Sequence, residues 1–169
     1  MDWGEVYRAT WEDLVRFLHY RVWDEERARD LAQEAFVRAL AHQPEDPRAW
    51  LFSVAVNLAR DEARAAVRRR RHLTLLRAEA RSRAPEEPEG PERLERAERE
   101  ERVRSALETL GDRDREVLLL WDAGLSYREI ARQTGLAVGA IGTTLARARR
   151  RLVEAYESAE DERDHVARQ

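Results

Sequence analysis

The stretch LSYREIARQTGLAVGAIGTTLARARRRL, residues 125–152, has the spacing of two helices joined by a tight turn. Ser126 and Glu129 form a capping box, in which the serine caps a helix-start amide and the glutamate reaches back. Gly135 supplies the left-handed residue that ends the first helix. The second helix carries apolar residues at helical spacing: Ile141, Leu145, Ala148 and Leu152. This layout predicts either a DNA-binding helix-turn-helix or an ordinary helical hairpin with a basic face, and spacing alone does not decide between them.

Helical periodicity also extends through the rest of the chain, with no strand-like alternation beyond a few residues. One stripe contains Leu14, Val15, Leu18 and Val22, and the next contains Leu31, Ala35, Phe36, Ala39 and Leu40. A third helix is expected to start near Pro47, because proline is favoured in a first turn. We therefore predict an all-α fold.

A proline-rich acidic run divides the chain. Pro85, Pro88 and Pro91 lie together with Gly90, and few apolar residues surround them, which predicts extended backbone over 83–93. The predicted organisation is two small helical domains joined by an acidic flexible linker. The domains are residues 1–75 and 103–156, the linker is 76–102, and a charged tail follows at 157–169.

Composition excludes several classes of function. There is no cysteine, the four histidines are scattered, and neither a glycine-rich phosphate loop nor a nucleophile–base pair is present. We therefore expect neither an enzyme nor a metal or cofactor site. No run of about 18 apolar residues exists and the N-terminus is not a basic-then-apolar signal, so a cytoplasmic protein without a membrane span is expected.

Charge is more informative by position than in total. The net charge is −3, yet all 31 basic residues are arginine, and they cluster at 67–72 and 146–152. Acidic residues cluster at 85–101 and 157–165. A nearly neutral chain with opposed patches can still bind a polyanion locally.

The second block, from SALETLGDRDREVLLLWDAGLSYREIA to RARRRLVEAY, resembles the promoter-binding region 4 of bacterial sigma factors. The first block resembles their region 2: DLAQEAFVRAL (30–40) looks like the polymerase-docking helix, and PRAWLFSVAVNLARDEARAAVRRRR (47–71) looks like the helix that melts and reads the −10 element. Two domains with one linker are similar to the extracytoplasmic function (ECF) group. The resemblance covers about residues 5 to 156.

The resemblance implies that the chain binds core RNA polymerase, through the β′ clamp coiled coil and the β subunit, and binds promoter DNA. It leaves open whether an anti-sigma factor exists. The residues implied to bind polymerase are Asp30, Gln33 and Glu34, which we expect on the accessible face of a helix whose other face is Leu31, Ala35 and Phe36.

The expected −10 site lies on the helix from Pro47. Trp50 is either a wedge against an unstacked base pair or a core residue, and the residues leave both open. Asn57 can pair with a base edge, and arginines can neutralise phosphates. The arginines assigned to this site are Arg60, Arg64, Arg68, Arg69, Arg70 and Arg71. The loop AHQPED (41–46) is shorter than the family's base-capturing loop, so the capture of a flipped base stays open.

The expected −35 site departs from the family pattern, since Gly142, Thr143 and Thr144 stand where basic residues and a serine are common. Threonines can contact phosphate or a thymine methyl group, whereas glycine has no side chain that could contact a base. We therefore expect phosphate contacts from Arg128, Arg147, Arg150 and Arg151, with DNA shape supplying much of the specificity.

Two other functions are weighed against this one. The first is a transcriptional regulator with a LuxR-like helix-turn-helix, and the −10-type face of Trp50, Asn57 and Arg64 argues against it. The second is an adaptor protein without DNA contact, and the two separated arginine clusters argue against that.

Overall fold

The computed structural model describes residues 1–76 and 90–167, with side chains for 1–72 and 90–161. Every regular element in these residues is a helix, which confirms the all-α prediction. The chain divides into two compact units, Met1–Pro85 and Glu86–Gln169. None of the described helices is long and apolar enough to cross a membrane.

The first unit contains α1 (Trp3–Val22), α2 (Glu25–His42) and α3 (Pro47–Leu76), and each helix packs against the other two. Asp2 and Asp24 cap α1 and α2 by accepting hydrogen bonds from amides of the first turn. The two helices end at Trp23 and Gln43, whose φ values are 56° and 51°. These left-handed residues reverse the chain within a few positions, so three helices meet around one core.

The core of this unit lies where α3 crosses α1. Phe17 and Phe52 meet edge to face, with ring centroids 5.6 Å apart. On α3 the buried residues are Leu51, Phe52, Ala55, Val56, Leu58 and Ala59. Because these positions occupy one side of the helix, the opposite side faces solvent along its described length.

The second unit contains α4 (Pro91–Glu108), α5 (Asp112–Asp122), α6 (Tyr127–Thr134) and α7 (Val138–Ala167). The predicted capping box is confirmed: the amide of Ser126 donates to Glu129 Oε2 at 2.7 Å, and the amide of Glu129 donates to Ser126 Oγ at 3.3 Å. Gly135 ends α6 with φ of 73°. Ile130, Ile141 and Leu145 are buried, so α6 and α7 form the predicted helix–turn–helix arrangement.

The segment predicted as a linker is partly helical. Residues 77–89 lie outside the described residues, but α4 begins at Pro91, so the extended backbone predicted for 83–93 is wrong at 91–93. Proline is well suited to a first helical position, and the far end of α4 is anchored because Arg102 pairs with Glu160 at 3.2 Å and lies over the Tyr156 ring. The domain boundaries at 75 and 103 stay predictions.

Candidate nucleic-acid interface

The polar face predicted on α2 is exposed. Asp30 and Gln33 are exposed and Glu34 is half-buried, whereas Leu31, Ala35 and Phe36 are buried. Glu34 accepts a hydrogen bond from Arg38 one turn later, so its carboxylate is not isolated. These positions agree with the predicted accessible face, and their role in binding polymerase stays a prediction.

An open apolar groove of about 340 Å³ lies beside Gln33, between α1 and α2. Tyr7 and Trp11 stack at its side with ring centroids 4.9 Å apart. Leu40, which belongs to the apolar stripe of α2, is 48% exposed at the edge of the groove. The groove is lined by Trp3, Tyr7, Trp11, Gln33, Phe36, Val37 and Leu40. The aromatic residues at i, i+4 and i+8 in α1 were a signal for it that the sequence interpretation did not use.

Four of the predicted −10 residues share the outward side of α3. Trp50, Asn57, Arg64 and Arg71 recur every seven residues, roughly two helical turns, so they lie on one face opposite the core. Trp50 is half-buried, and its ring lies nearly parallel to that of His42, at 16° and 5.2 Å between centroids. Trp50 is therefore not fully buried, and both the wedge and the structural role stay predictions.

The arginines of α3 differ in their ion pairs and in their exposure. Glu62 accepts from Arg27 at 2.7 Å and from Arg69 at 2.9 Å, and hydrogen bonds from these two arginines lower the pKa of the Glu62 carboxyl. Arg64 pairs with Asp61 at 3.3 Å. Arg60 is half-buried, and Arg68, Arg70 and Arg71 are exposed. Within the predicted clamp of four consecutive arginines, Arg69 is therefore already bound to a carboxylate of its own helix.

The connection between α2 and α3 is short and anchored. Only 43–46 separate the two helices, and Pro44 is buried. The Gln43 side chain donates to the Leu40 carbonyl at 2.6 Å and accepts from Trp3 Nε1 at 3.3 Å. Capture of a flipped base by this loop stays an open prediction.

The outward stripe of α7 consists mainly of small side chains. Gly139, Thr143, Ala146 and Arg150 are exposed at successive turns. Thr144 is 6% exposed, so its predicted DNA contact is wrong: it lies three residues after Ile141 and four before Ala148, on the buried side. The Thr143 hydroxyl donates to the Ala140 carbonyl at 3.1 Å.

Gly142 lies next to the ring of Tyr127. A Cβ at this position would be 3.6 Å from Tyr127 Cε2, an ordinary van der Waals distance, so the fold itself leaves room for a side chain there. Arg128, at the start of α6, is exposed as expected for a phosphate contact.

Arg147 is held by a carboxylate of α5. Its Nε and Nη2 donate to Asp114 Oδ2 and Oδ1 at 2.9 and 2.6 Å. This hydrogen bonding lowers the pKa of Asp114 and raises that of Arg147. Arg151 approaches the same carboxylate at 3.9 Å, whereas Arg150 is 70% exposed. The sequence held no signal that separates Asp114 from Asp112 two residues earlier.

No group of histidine, aspartate and glutamate in the described part of the chain is arranged to hold a metal ion.

Comparisons with known proteins agree with this arrangement. Residues 6–72 match the family model of sigma-70 region 2, and residues 100–152 match that of sigma-70 region 4. The ECF RNA polymerase sigma factor EcfG of Rhodopseudomonas palustris is 37% identical over 133 residues, which are 75% of this chain and 70% of the relative. The ECF RNA polymerase sigma factor BldN of Streptomyces coelicolor is 34% identical over 158 residues.

That match covers 88% of this chain but only 58% of the Streptomyces relative, so the chain spans less than two thirds of that protein's length. Among solved structures, the sigma factor RpoE in complex with the anti-sigma factor NepR from Bartonella quintana is similar, with a TM-score of 0.62 and 25% identity. The similarity covers 92% of this chain and 97% of that one.

The two matched regions are those of sigma-70 proteins, and both lie in this one chain. The chain belongs to the ECF group of the sigma-70 family, whose members are not enzymes.

Replacing Glu62 with glutamine tests the arginine pairing in the first unit. Glu62→Gln should lower the free energy of unfolding at pH 7 by about 1 to 2 kcal/mol, because the carboxylate and its charge-assisted hydrogen bonds are lost. Since the folded pKa is lowered, the wild-type advantage is present above the usual glutamate value and should shrink as the pH falls below about 4.3. Urea unfolding followed by tryptophan fluorescence measures it.

The matched control is Glu25→Gln, which removes the exposed i, i+4 pair with Arg29 on α2. Exposed pairs of this kind contribute roughly 0.3–0.5 kcal/mol. Equal losses from the two substitutions at pH 7 would contradict a special role for Glu62.

Proposed function

We propose that this protein binds core RNA polymerase and directs it to promoters with −10 and −35 elements, promoting DNA melting for transcription initiation. The observation that carries the proposal is the combination of two units in one chain. The first presents Trp50, Asn57, Arg64 and Arg71 on one outward helix face, and the second contains a helix-turn-helix. A sigma factor needs both surfaces, because it engages two promoter elements and polymerase at once.

Polymerase docking is assigned to α2 and the adjoining groove. Asp30 and Glu34 offer acidic groups at the edge, and Gln33 borders apolar side chains that include Val37, which is 65% exposed. An exposed apolar patch rimmed by polar residues is typical of a protein–protein interface. A helical partner such as the β′ clamp coiled coil would bury its apolar side chains in this groove, and the β subunit is the second polymerase contact that we propose.

Promoter contacts are assigned to α3 and α7. Trp50 would stack at the edge of the melted −10 region, with Asn57 and the exposed arginines further along the helix. At the −35 element, α7 offers mostly small side chains along its outward stripe. Recognition there would depend on phosphate contacts from Arg128 and Arg150 and on DNA shape.

An anti-sigma factor is a further proposed partner. Its support is the similarity to a sigma factor whose solved structure contains the anti-sigma factor NepR. Neither a LuxR-like regulator nor an adaptor without DNA contact would account for the match of residues 6–72 to sigma-70 region 2.

The function is tested by run-off transcription with core polymerase of the source organism on its fragmented genomic DNA. Sequencing of transcript starts should reveal a shared pair of upstream elements that depends on the added chain. Core enzyme that initiates at the same positions without the chain would refute the proposal.

The docking assignment predicts the behaviour of a double substitution. Gln33→Ala combined with Glu34→Arg should abolish co-elution with core polymerase, because it removes a groove contact and reverses a charge at its edge. The helical circular dichroism spectrum should remain unchanged, since both side chains are at the surface.

Glu25→Arg serves as the control, because it makes the same charge change and breaks a similar pair, with Arg29, about 13 Å earlier along the helix. This variant should assemble normally. Normal co-elution of the Gln33/Glu34 variant would contradict the docking assignment.

The wedge assignment predicts that Trp50→Ala leaves closed-complex formation nearly intact but reduces permanganate-reactive thymines at the −10 element. The physical reason is the loss of base–aromatic stacking, worth about 1–3 kcal/mol per base. Trp50→Phe should retain part of the melting. A loss of cooperative thermal unfolding in the alanine variant would instead assign Trp50 a structural role.

A further inference from the structure

Asp114, on α5, is a buried carboxylate that contacts the predicted DNA-binding helix α7. Its side chain is 9% exposed, and both of its oxygens accept from Arg147. It lies in the first turn of α5, where the positive end of the helix dipole favours a carboxylate, and hydrogen bonds from Arg147 keep its pKa low. A negative charge is therefore built into the second unit, directly behind the helix that carries the arginine cluster.

This contact changes what Arg147 can offer to DNA. A guanidinium has five N–H donors, and two of them, on Nε and Nη2, are used by Asp114. The side chain is 44% exposed, so the remaining donors can still reach solvent from a position that the carboxylate holds. Arg150 is more exposed than Arg147, at 70%, and it is held less closely, because the carboxylate of Glu154 is 3.9 Å away.

A mobile, uncompensated arginine attracts any phosphate, and each neutralised phosphate steepens the dependence of affinity on salt concentration by about 0.9 in log–log slope. Such attraction carries no sequence information. Because Gly139, Thr143 and Ala146 offer little direct readout, added non-specific attraction would easily outweigh the discrimination that this helix can achieve.

We propose that Asp114 is a specificity-determining positioning residue of the helix-turn-helix. It neutralises Arg147 and fixes its outer donors in one place, so that Arg147 contributes to choosing among −35 sequences rather than to general phosphate binding. This inference rests on the proposed promoter-binding function.

The test compares Asp114→Asn with Glu154→Gln in the full chain. Each substitution removes one negative charge beside an arginine of α7, so overall charge changes equally. Fluorescence anisotropy measures binding to two short duplexes over about 50 to 200 mM salt. One duplex carries the −35 sequence mapped by run-off transcription, and the other carries the same bases scrambled.

Asp114→Asn should steepen the salt dependence on scrambled DNA by about 0.9, equivalent to one phosphate, and raise that affinity roughly five- to tenfold near 0.1 M salt. The ratio of matched to scrambled affinity should fall. Glu154→Gln should change the slope by much less, since the pair it removes is exposed. Identical behaviour of the two variants would overturn the proposal.

Arg147→Gln tests the same idea while retaining a donor for Asp114, and it covers the case in which Asp114→Asn does not fold. The variant should lose affinity for the matched duplex and keep the wild-type salt slope on the scrambled one. A slope that falls by about 0.9 on both duplexes, or no change on either, would overturn the proposal. Failure of the promoter-binding function would appear differently, as a wild-type chain that does not distinguish the two duplexes.

Discussion

Burial of one side of α3 and one side of α7 determines every surface that these helices offer to other molecules. On α3, Leu51, Phe52 and Ala55 must face α1 and α2, because their exposure would forfeit about 25 cal/mol for each Å² of apolar surface. On α7, Ile141 and Leu145 are buried for the same reason. What remains outward on α3 is aromatic and basic, whereas what remains outward on the first turns of α7 is small and uncharged.

In each of the two units, one carboxylate pairs with more than one arginine. Glu62 binds Arg27 and Arg69, and Asp114 binds Arg147 with Arg151 nearby. A planar guanidinium can bind both oxygens of a carboxylate, which a lysine ammonium cannot do with the same geometry. In a chain whose basic residues are all arginine, a count of cations along a helix therefore overstates the number available to phosphates.

The groove between α1 and α2 and the outward face of α3 are two separate surfaces of the first unit. The aromatic side chains of the groove lie beside the acidic and amide groups of α2, while the outward face of α3 carries Trp50 stacked on His42. Three-helix packing assigns these surfaces to different helices. A partner on α2 and nucleic acid on α3 could therefore be bound at the same time, as the proposed function requires.

Local sequence determined the helices, the capping box at Ser126, the glycine end at Gly135 and the exposed face of Asp30 and Gln33, because periodicity and capping depend on residues within a few positions. It also located the helix-turn-helix. The prediction of extended backbone wrongly included residues 91–93. Pro91 is compatible with a helix start as well as with a linker.

Only tertiary structure decided which predicted DNA contacts are available. Thr144 is buried at the packed side of α7, and carboxylates already occupy some of the donors of Arg69 and Arg147. The contacts of Arg27 with Glu62 and of Arg147 with Asp114 join residues 35 and 33 positions apart. Such pairs depend on how one helix packs against another, and no local pattern of residues specifies that distance.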